Sequence, residues 1–481
     1  MEEKTNKKNK IKILLFIVVL LILVLAIAVV VIFIIKAEVK NNNEIHVVRE
    51  KSNYQIKIDY PVTHIKKIDD EIEKYITYEK EMFISTVKQI KEKADAQGDK
   101  DITNEENLEN KEATEESKYQ FLLQSNTSEY KNTKSINIVI YEFVGGNHYE
   151  RKDKNICFNV NDGSSLTLDD FFEDKTYLDK ISKIAYYKVN KYLEDNAIEY
   201  DEQLVKQGTE AKIENYTSFV FKEDGLNITF LPYQVASWSS GEIKITIGYN
   251  KINNLLKEKY RGTSIKTGNI DIVKKERDLS KFAQKKLIAI TFDDGPSYIT
   301  SNLIDELNKR DAKATFFVMG SRVEKYKDTL KKAYEQGHQI GTHTCTHRAL
   351  TKLDDYQIMS EINKSNDEIE KVIGVTTNLL RPPYGSINDH VKQLADMNII
   401  LWNVDTLDWK NKNANKISDE IINKASDGNI VLLHDLYPTS VEGAIKAIDV
   451  LEKEGYAFVT IDEMCKLKNI KLDSVKSYFK F

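Results

Sequence analysis

The sequence predicts an α/β protein with a (β/α) barrel-like domain in its C-terminal half, preceded by an N-terminal transmembrane helix and an α+β membrane-proximal region. Three observations support this fold class. About seven short apolar runs alternate with amphipathic helical segments after residue 286. Upstream of them, strand-like segments flank one helix-like segment, and the N-terminus contains a long run without charge.

The composition excludes several classes of protein. With 481 residues, the chain is long enough for about three domains. Its 70 Lys and Arg against 75 Asp and Glu give a net charge of −5, so we expect no nucleic-acid partner. The three cysteines, Cys157, Cys345 and Cys465, are odd in number and far apart, which excludes a disulfide framework.

The N-terminal element is a predicted membrane anchor. Residues 13–35 carry no charge and are almost all Ile, Leu, Val, Phe and Ala, enough to cross a hydrocarbon core of about 30 Å. Residues 1–12 are rich in lysine, so we predict that they form a cytoplasmic tail. Everything beyond the anchor is then expected to lie outside the cell. The expected protein is a single-pass cell membrane protein in contact with lipid. A cleavable signal peptide is the alternative, but no small-residue cleavage site follows Ile35.

The next elements form the extracellular part. Residues 37–53 are polar and Asn-rich and predict a stalk, residues 54–262 the α+β region, and residues 263–285 a polar linker. Within residues 54–262, strands are predicted from INIVIYEF, NICFNV, SFVFKEDGLNITF and EIKITIGY, and a helix from Thr176 to Leu193. The highly charged stretch from Lys88 to Lys118 predicts a solvated helix or a disordered insertion.

The last element is the barrel-like domain at residues 286–465, followed by a C-terminal tail at 466–481. Its predicted strands are LIAITF, ATFFVM, HQIGTH, NLLRPP, IILWNVD, NIVLLHD and AFVTI. Repeated βα units predict a parallel sheet, most simply closed as a barrel, with an open doubly wound sheet as the alternative. In a barrel, functional side chains lie at the C-terminal ends of the strands.

The first and third predicted strands end in groups that bind metals or protons. The first ends in TFDDGP, where the Gly-Pro break lets Asp293 and Asp294 serve one site although neighbouring strand residues point to opposite faces. The third ends in HTCTH, where His343 and His347 have the i, i+4 spacing of one helical face and can reach one metal at about 2.0–2.1 Å. A plain Asp-Gly turn and an accidental histidine pair are the alternatives for each motif alone.

Three further strand ends also carry reactive groups. RPPYG offers Arg381, NVDTLDW offers Asp405, Asp408 and Trp409, and LLHD offers His434. Because five of the seven predicted strand ends carry such groups, we expect them to meet in one active site.

The ordered set TFDDGP, HTCTH, RPPYG, DTLDW and LLHD resembles the five motifs of the polysaccharide deacetylase family, the NodB-homology or carbohydrate esterase family four enzymes. The resemblance implies that Asp293 is the general base and that Arg381 orients it. It implies a divalent metal, with Zn²⁺ expected, on Asp294, His343 and His347.

The resemblance also assigns the remaining side chains of the site. It makes His434 the general acid, tuned by Asp405, and Tyr384 a backbone donor to the oxyanion. Trp409 and Leu432 then line the pocket for the acetyl methyl group.

Elementary chemistry is consistent with these roles. Two imidazoles and one carboxylate leave zinc positions open, and the pKa of bound water falls toward about 7. A carboxylate base then has only one proton to accept, and an amine leaving group needs an acid such as an imidazolium.

The membrane-proximal region carries a second resemblance. Its segments YEFVGGNHY, SLTLDDFF and DGLNITFLPYQVASWSSGEIKITI are similar to the paired DUF4163 and DUF3298 domains that precede some bacterial peptidoglycan deacetylases. This resemblance implies binding of lysozyme or cell wall by residues 54–262. Ordinary turns and core residues are the alternative for the same segments.

Together these features predict a metal-dependent hydrolase that removes N-acetyl groups from peptidoglycan glycan strands at the cell surface. Alternatives are a deacetylase or esterase of chitin or xylan, or a catalytically silent sensor that binds wall or lysozyme. The intact Asp293, His343, His347 and His434 argue against the silent sensor. The sequence leaves open whether N-acetylglucosamine or N-acetylmuramic acid is the substrate.

Overall fold

The computed structural model describes residues 45–51, 54–96, 119–145, 149–263, 272–474 and 476–481. The predicted membrane anchor at residues 13–35 lies outside these ranges. Within them, none of the helices combines the length and the apolar character needed to cross a bilayer.

The chain divides into two compact units. The first contains the described residues up to Lys175 together with Tyr216–Thr229 and Leu255–Arg261. The second contains Thr176–Asn215, Phe230–Asn254 and Gly262–Phe481.

A six-stranded sheet forms the centre of the first unit. Its strands are β1 (Ile45–Lys51), β2 (Gln55–Pro61), β3 (Gln120–Tyr130), β4 (Thr133–Phe143), β5 (Glu150–Asn159) and β6 (Ser165–Leu166). They lie side by side in sequence order. Strands β2 and β3 run parallel and the other neighbours antiparallel. The same unit contains the hairpin of β7 (Phe219–Lys222) and β8 (Gly225–Phe230), apart from the last residue of β8.

One long helix, α1 (Lys66–Ala96), covers this sheet. Its apolar residues Ile68, Ile72 and Ile76 recur every four positions and place one stripe against the sheet. Phe83 continues the stripe and packs against Phe121 of β3, with ring centroids 5.5 Å apart. The helix accounts for the first part of the charged stretch from Lys88 to Lys118, and residues 97–118 lie outside the described ranges.

The second unit begins with a small α+β segment. It comprises α2 (Tyr177–Asp195), α3 (Glu202–Gly208), β9 (Ile243–Ile247) and α4 (Tyr249–Ile252). The position of α2 confirms the helix predicted from Thr176 to Leu193. Its buried Ile181, Ala185 and Val189 follow the four-residue spacing from which it was predicted.

A parallel sheet dominates the rest of the second unit. Its strands are β10 (Lys286–Asp293), β11 (Ala314–Val318), β12 (Gln339–Thr342), β13 (Leu379–Leu380), β14 (Asn398–Ile400), β15 (Val404–Asp405), β16 (Asn429–His434), β17 (Tyr456–Phe458) and β18 (Ser477–Tyr478). The order is β15-β16-β10-β11-β12-β13-β14-β18, with β17 beside β10. Every registered pair is parallel. The predicted parallel α/β architecture is confirmed.

Helices follow the strands as the βα alternation predicts. They are α5 (Thr300–Lys309), α6 (Gly320–Val323), α7 (Lys327–Glu335), α8 (Asp355–Ile373), α9 (Asp389–Ala395), α10 (Asp408–Asn411), α11 (Ala414–Asn423), α12 (Pro438–Leu451) and α13 (Ile461–Leu467).

Three details of the sheet differ from the sequence prediction. In the described part of the chain no ladder joins β15 to β18, so the sheet is an incomplete barrel. The run IILWNVD forms two strands instead of one, because the chain leaves the sheet between β14 and β15. Residues 466–481, expected as a tail, include β18, which pairs with β14.

The core between the parallel sheet and its helices holds β10 in place. Ile290 and Phe292 are fully buried, and Phe292 stacks on Phe316 of β11 with ring centroids 5.6 Å apart. Each such side chain stabilises the fold by about 1.5–3 kcal/mol on burial. The packing of Ile290 and Phe292 therefore fixes the position of the strand end at Asp293.

Helix α2 is tied to the helices of the parallel sheet within the second unit. The hydroxyl of Tyr356 on α8 donates to Glu194 Oε2 at 2.6 Å. The ammonium of Lys183 donates to the carbonyl oxygen of Gln393 on α9 at 2.7 Å.

Candidate active site

Asp293 and Asp294 occupy the C-terminal end of β10, the strand between β11 and β16. Asp293 is buried and is level with His434 of β16. Asp294 has φ of 69°, so the chain turns there and its carboxylate does not take the opposite face that a continuing strand would impose. The predicted break of the strand is confirmed, and it occurs at Asp294 itself.

Asp294, His343 and His347 converge on one point. Asp294 Oδ1 lies 3.5 Å from His343 Nε2 and 3.3 Å from His347 Nε2. One ligand atom from each residue lies within 4.8 Å of the others. The structure thus brings the three predicted side chains together.

The orientation of His343 suits a metal ligand. Its Nδ1 lies 2.7 Å from the carbonyl oxygen of Arg381 and donates a hydrogen bond to it, which leaves the lone pair on Nε2. Burial lowers the pKa of His343 to about 3 despite the nearby Asp294, so the imidazole is neutral at physiological pH.

A divalent metal fits these donors. Asp294 Oδ1 is buried and makes no hydrogen bond, although a buried carboxylate oxygen is costly to leave unpaired. Two imidazole nitrogens and one carboxylate oxygen are a donor set typical of a zinc site that keeps open positions. The three residues would hold the ion between the ends of β10 and β12.

The histidine pair is brought together by a loop, and the expectation of a helical face is wrong. Residues 343–347 form no helix. Thr344 and His347 have φ of 67° and 66°, so the backbone is left-handed at both positions of the loop. The ring centroids are 4.9 Å apart.

Arg381 lies fully buried behind Asp293. Its Nη1 donates to Asp293 Oδ1 at 2.8 Å and to Thr291 Oγ1 at 2.7 Å. Its Nε and Nη2 donate to the carbonyl oxygens of Ile400 and Leu401, each at 3.0 Å. Burial raises the pKa of Asp293, and the guanidinium counters part of that rise.

The ring of His434 is paired with Asp408. The expectation that Asp405 is its partner is wrong. His434 Nδ1 lies 2.8 Å from Asp408 Oδ1. Asp405 instead accepts the backbone N–H of Leu407 at 2.9 Å. Leu407 has φ of 50°, which turns the chain so that Asp408 points inward as α10 begins.

Three further predicted residues lie around these groups. Tyr384 has φ of 62°, and its ring meets the His347 ring at 4.7 Å between centroids. Tyr384 is 71% exposed and Trp409 is 49% exposed, so both present apolar surface to solvent. Leu432 is buried on β16, level with Asp405.

Sequence reasoning missed two supporting residues. Thr291, two positions before Asp293, places its hydroxyl on Arg381. Ser440 donates its hydroxyl to Asp408 Oδ2. Period-two alternation was the available signal for Thr291, since it shares a strand face with Asp293. No signal pointed to Ser440.

This arrangement defines a hydrolase. The carboxyl ends of neighbouring parallel strands carry a buried carboxylate, the cluster of Asp294, His343 and His347, and a histidine–aspartate pair. Comparison with known families agrees. The family described as polysaccharide deacetylase matches residues 281–399. DUF3298, a domain of unknown function, matches residues 169–250.

Comparison with individual proteins extends the likeness to most of the chain. The peptidoglycan-N-acetylmuramic acid deacetylase PdaC of Bacillus subtilis is 33% identical over 431 residues, covering 88% of each chain. The peptidoglycan-N-acetylglucosamine deacetylase PgdA of Listeria monocytogenes is 35% identical over 237 residues, 49% of this chain and 48% of that protein. The solved structure of B. subtilis PdaC is 42% identical, covers 39% of this chain and 93% of that one, and has a TM-score of 0.38.

The chain belongs to the polysaccharide deacetylase family. The resemblance drawn from the five motifs is thereby confirmed, and so is the DUF3298 part of the membrane-proximal resemblance. The DUF4163 part and the domain boundaries stay predictions.

Proposed function

We propose that this chain hydrolyses the N-acetyl groups of peptidoglycan amino sugars in a metal-dependent reaction. The observation that carries the proposal is the unpaired, buried Oδ1 of Asp294 between His343 Nε2 and His347 Nε2. The names of PdaC and PgdA support peptidoglycan as the polysaccharide.

Asp293 is the proposed general base. Arg381 engages its Oδ1, and its Oδ2 lies 3.8 Å from His343 Nε2, beside the metal cluster. A divalent metal bound there, with Zn²⁺ expected, would polarise the acetyl carbonyl and make a neighbouring water more acidic. Asp293 accepts a proton from that water as the water oxygen attacks the carbonyl carbon.

His434 is the proposed general acid. It is level with Asp293 on the adjacent strand, and the pKa of its imidazole is raised to about 9, so the ring is protonated near neutral pH. As the C–N bond breaks, the imidazolium delivers a proton to the leaving nitrogen. The products are acetate and a sugar with a free amino group. Tyr384 N–H is proposed as a donor to the oxyanion, with Trp409 and Leu432 around the acetyl methyl group.

We further propose that the protein works at the outer face of the cell membrane, held by residues 13–35. The uncharged apolar run and the lysines before it support this location. Contact with lipid through that segment, and with wall or lysozyme through residues 54–262, belong to the same proposal.

The test is acetate release from purified peptidoglycan by the full-length protein in detergent. We expect release that a chelator stops, that added Zn²⁺ restores, and that Asp293→Asn abolishes. The amino sugar formed distinguishes N-acetylglucosamine from N-acetylmuramic acid as the substrate. If metal-loaded protein releases no acetate from peptidoglycan, the proposed function is wrong, and release from chitin or acetylxylan then identifies the alternative substrate.

A further inference from the structure

Helix α8 places a buried carboxylate against the loop that carries both histidines of the metal cluster. Glu361 is 7% exposed. Its Oε2 accepts the backbone N–H of Thr346 at 2.7 Å, and its Oε1 accepts the Thr346 hydroxyl. Thr346 is the residue directly before His347.

The loop needs such support because its backbone is unfavourable. Thr344 and His347 are non-glycine residues in the left-handed region, and residues 343–347 belong to no helix or strand. A conformation of this kind persists only where its surroundings hold it.

A second side chain of α8 holds the other end of the loop. Thr342, the last residue of β12, donates its hydroxyl to Ser365 Oγ at 2.7 Å. The oxygen of that hydroxyl accepts the N–H of Thr344 at 3.1 Å. Glu361 and Ser365 are four residues apart and therefore lie on one face of α8. One helical turn thus supports both ends of the loop.

We propose that Glu361 is a positioning residue for the metal centre, a role that rests on the proposed function. Both of its carboxylate oxygens are engaged by Thr346, so it acts through the loop and is not a ligand. By fixing Thr346, it keeps His347 Nε2 beside Asp294 Oδ1 before the metal arrives. Groups that orient metal ligands change metal affinity by about 10–100-fold when they are removed.

The experiment measures Zn²⁺ affinity of the full-length protein by competition with a chromogenic chelator. We expect Glu361→Ala to weaken binding by about tenfold or more. Glu361→Gln should weaken it less, because the amide oxygen still accepts one of the two bonds. The matched control is Lys371→Ala on the same helix, which removes an exposed ammonium paired with Glu368 and should leave affinity unchanged.

Activity supplies a second measurement. Acetate release by Glu361→Ala should need about tenfold more Zn²⁺ for half-saturation and recover in excess metal. If Glu361→Ala fails to fold, Thr346→Val removes only the hydroxyl bond, and Thr346→Ser retains it. Equal Zn²⁺ affinity in the wild type and in every folded variant overturns the positioning role alone. No Zn²⁺ binding by the wild type overturns this role and the proposed metal dependence together.

Discussion

Asp408 and His434 form an ion pair at the edge of the parallel sheet, with Asp408 Oδ1 2.8 Å from His434 Nδ1. Asp408 is fully buried, and its oxygens also accept the N–H of His434 at 2.7 Å, the N–H of Trp409 at 2.9 Å and the hydroxyl of Ser440. Burial alone would lower the pKa of His434. The hydrogen bond and charge of Asp408 outweigh burial, and the pKa is raised to about 9.

The first prediction concerns this pair. Asp408→Asn should reduce acetate release by on the order of a hundredfold, because the imidazole loses the charge that keeps it protonated. The alkaline limb of the pH–rate profile, expected near the pKa of about 9, should move to lower pH. Asp405→Asn is the matched control. The carboxylate of Asp405 accepts the N–H of Leu407 within its own turn, and it is not the partner of His434. A larger loss for Asp405→Asn than for Asp408→Asn would contradict the assignment.

The second prediction follows from the same shift through linkage. A histidine whose pKa rises from 6.5 to about 9 on folding stabilises the fold fully below pH 6.5, and this contribution disappears as the pH rises through 9. The loss of unfolding free energy caused by Asp408→Asn should therefore be larger at pH 6 than at pH 10. Urea unfolding of both proteins at the two pH values measures it. A loss that is equal at both pH values would show that pairing with Asp408 does not cause the raised pKa of His434.

The error over Asp405 shows where sequence reasoning stops. The run NVDTLDW places one aspartate at the end of a two-residue strand and a second three positions later, and alternation along a strand cannot decide between them. The left-handed Leu407 and the burial of Asp408 decide it, and both depend on tertiary packing. The βα alternation and the strand ends were predictable because apolar runs and helical spacing are local signals. The loop backbone at Thr344 and His347 was not, since its conformation depends on α8.

The third prediction tests the buried guanidinium. Arg381→Met should destabilise the fold by about 3–5 kcal/mol, because Asp293 is then a buried charge without a partner. The carbonyl oxygens of Ile400 and Leu401 lose the same donor. Urea unfolding measures the loss, and Arg348→Met, a change at an exposed arginine, is the control with an expected effect within about 0.5 kcal/mol. Similar losses for both variants would show that Arg381 contributes no more than a surface residue.

The fourth prediction concerns metal removal. Because a ligand that binds only the folded state stabilises it, Zn²⁺ at a hundred times its dissociation constant should add about 2.7 kcal/mol and raise Tm. A chelator should reverse the increase. Asp294→Ala should abolish most of it by removing one ligand of the cluster, whereas Asp389→Ala, at an exposed position, should retain it. An undiminished Tm increase in Asp294→Ala would place the ion elsewhere.

The fifth prediction concerns the close approach of Gly295 to Asp435. A Cβ added at Gly295 would overlap both carboxylate oxygens of Asp435, which is fully buried and bonded to Thr300. Gly295→Ala should therefore displace the turn after Asp294, cost about 1–3 kcal/mol of stability and lower acetate release. Asp435→Ala removes the overlapping oxygens, so the double variant should be less destabilised than the sum of the two single variants by about 0.5 kcal/mol or more. Unfolding free energies of the four proteins give this coupling directly, and strict additivity would mean that the Gly295 requirement comes from some other contact.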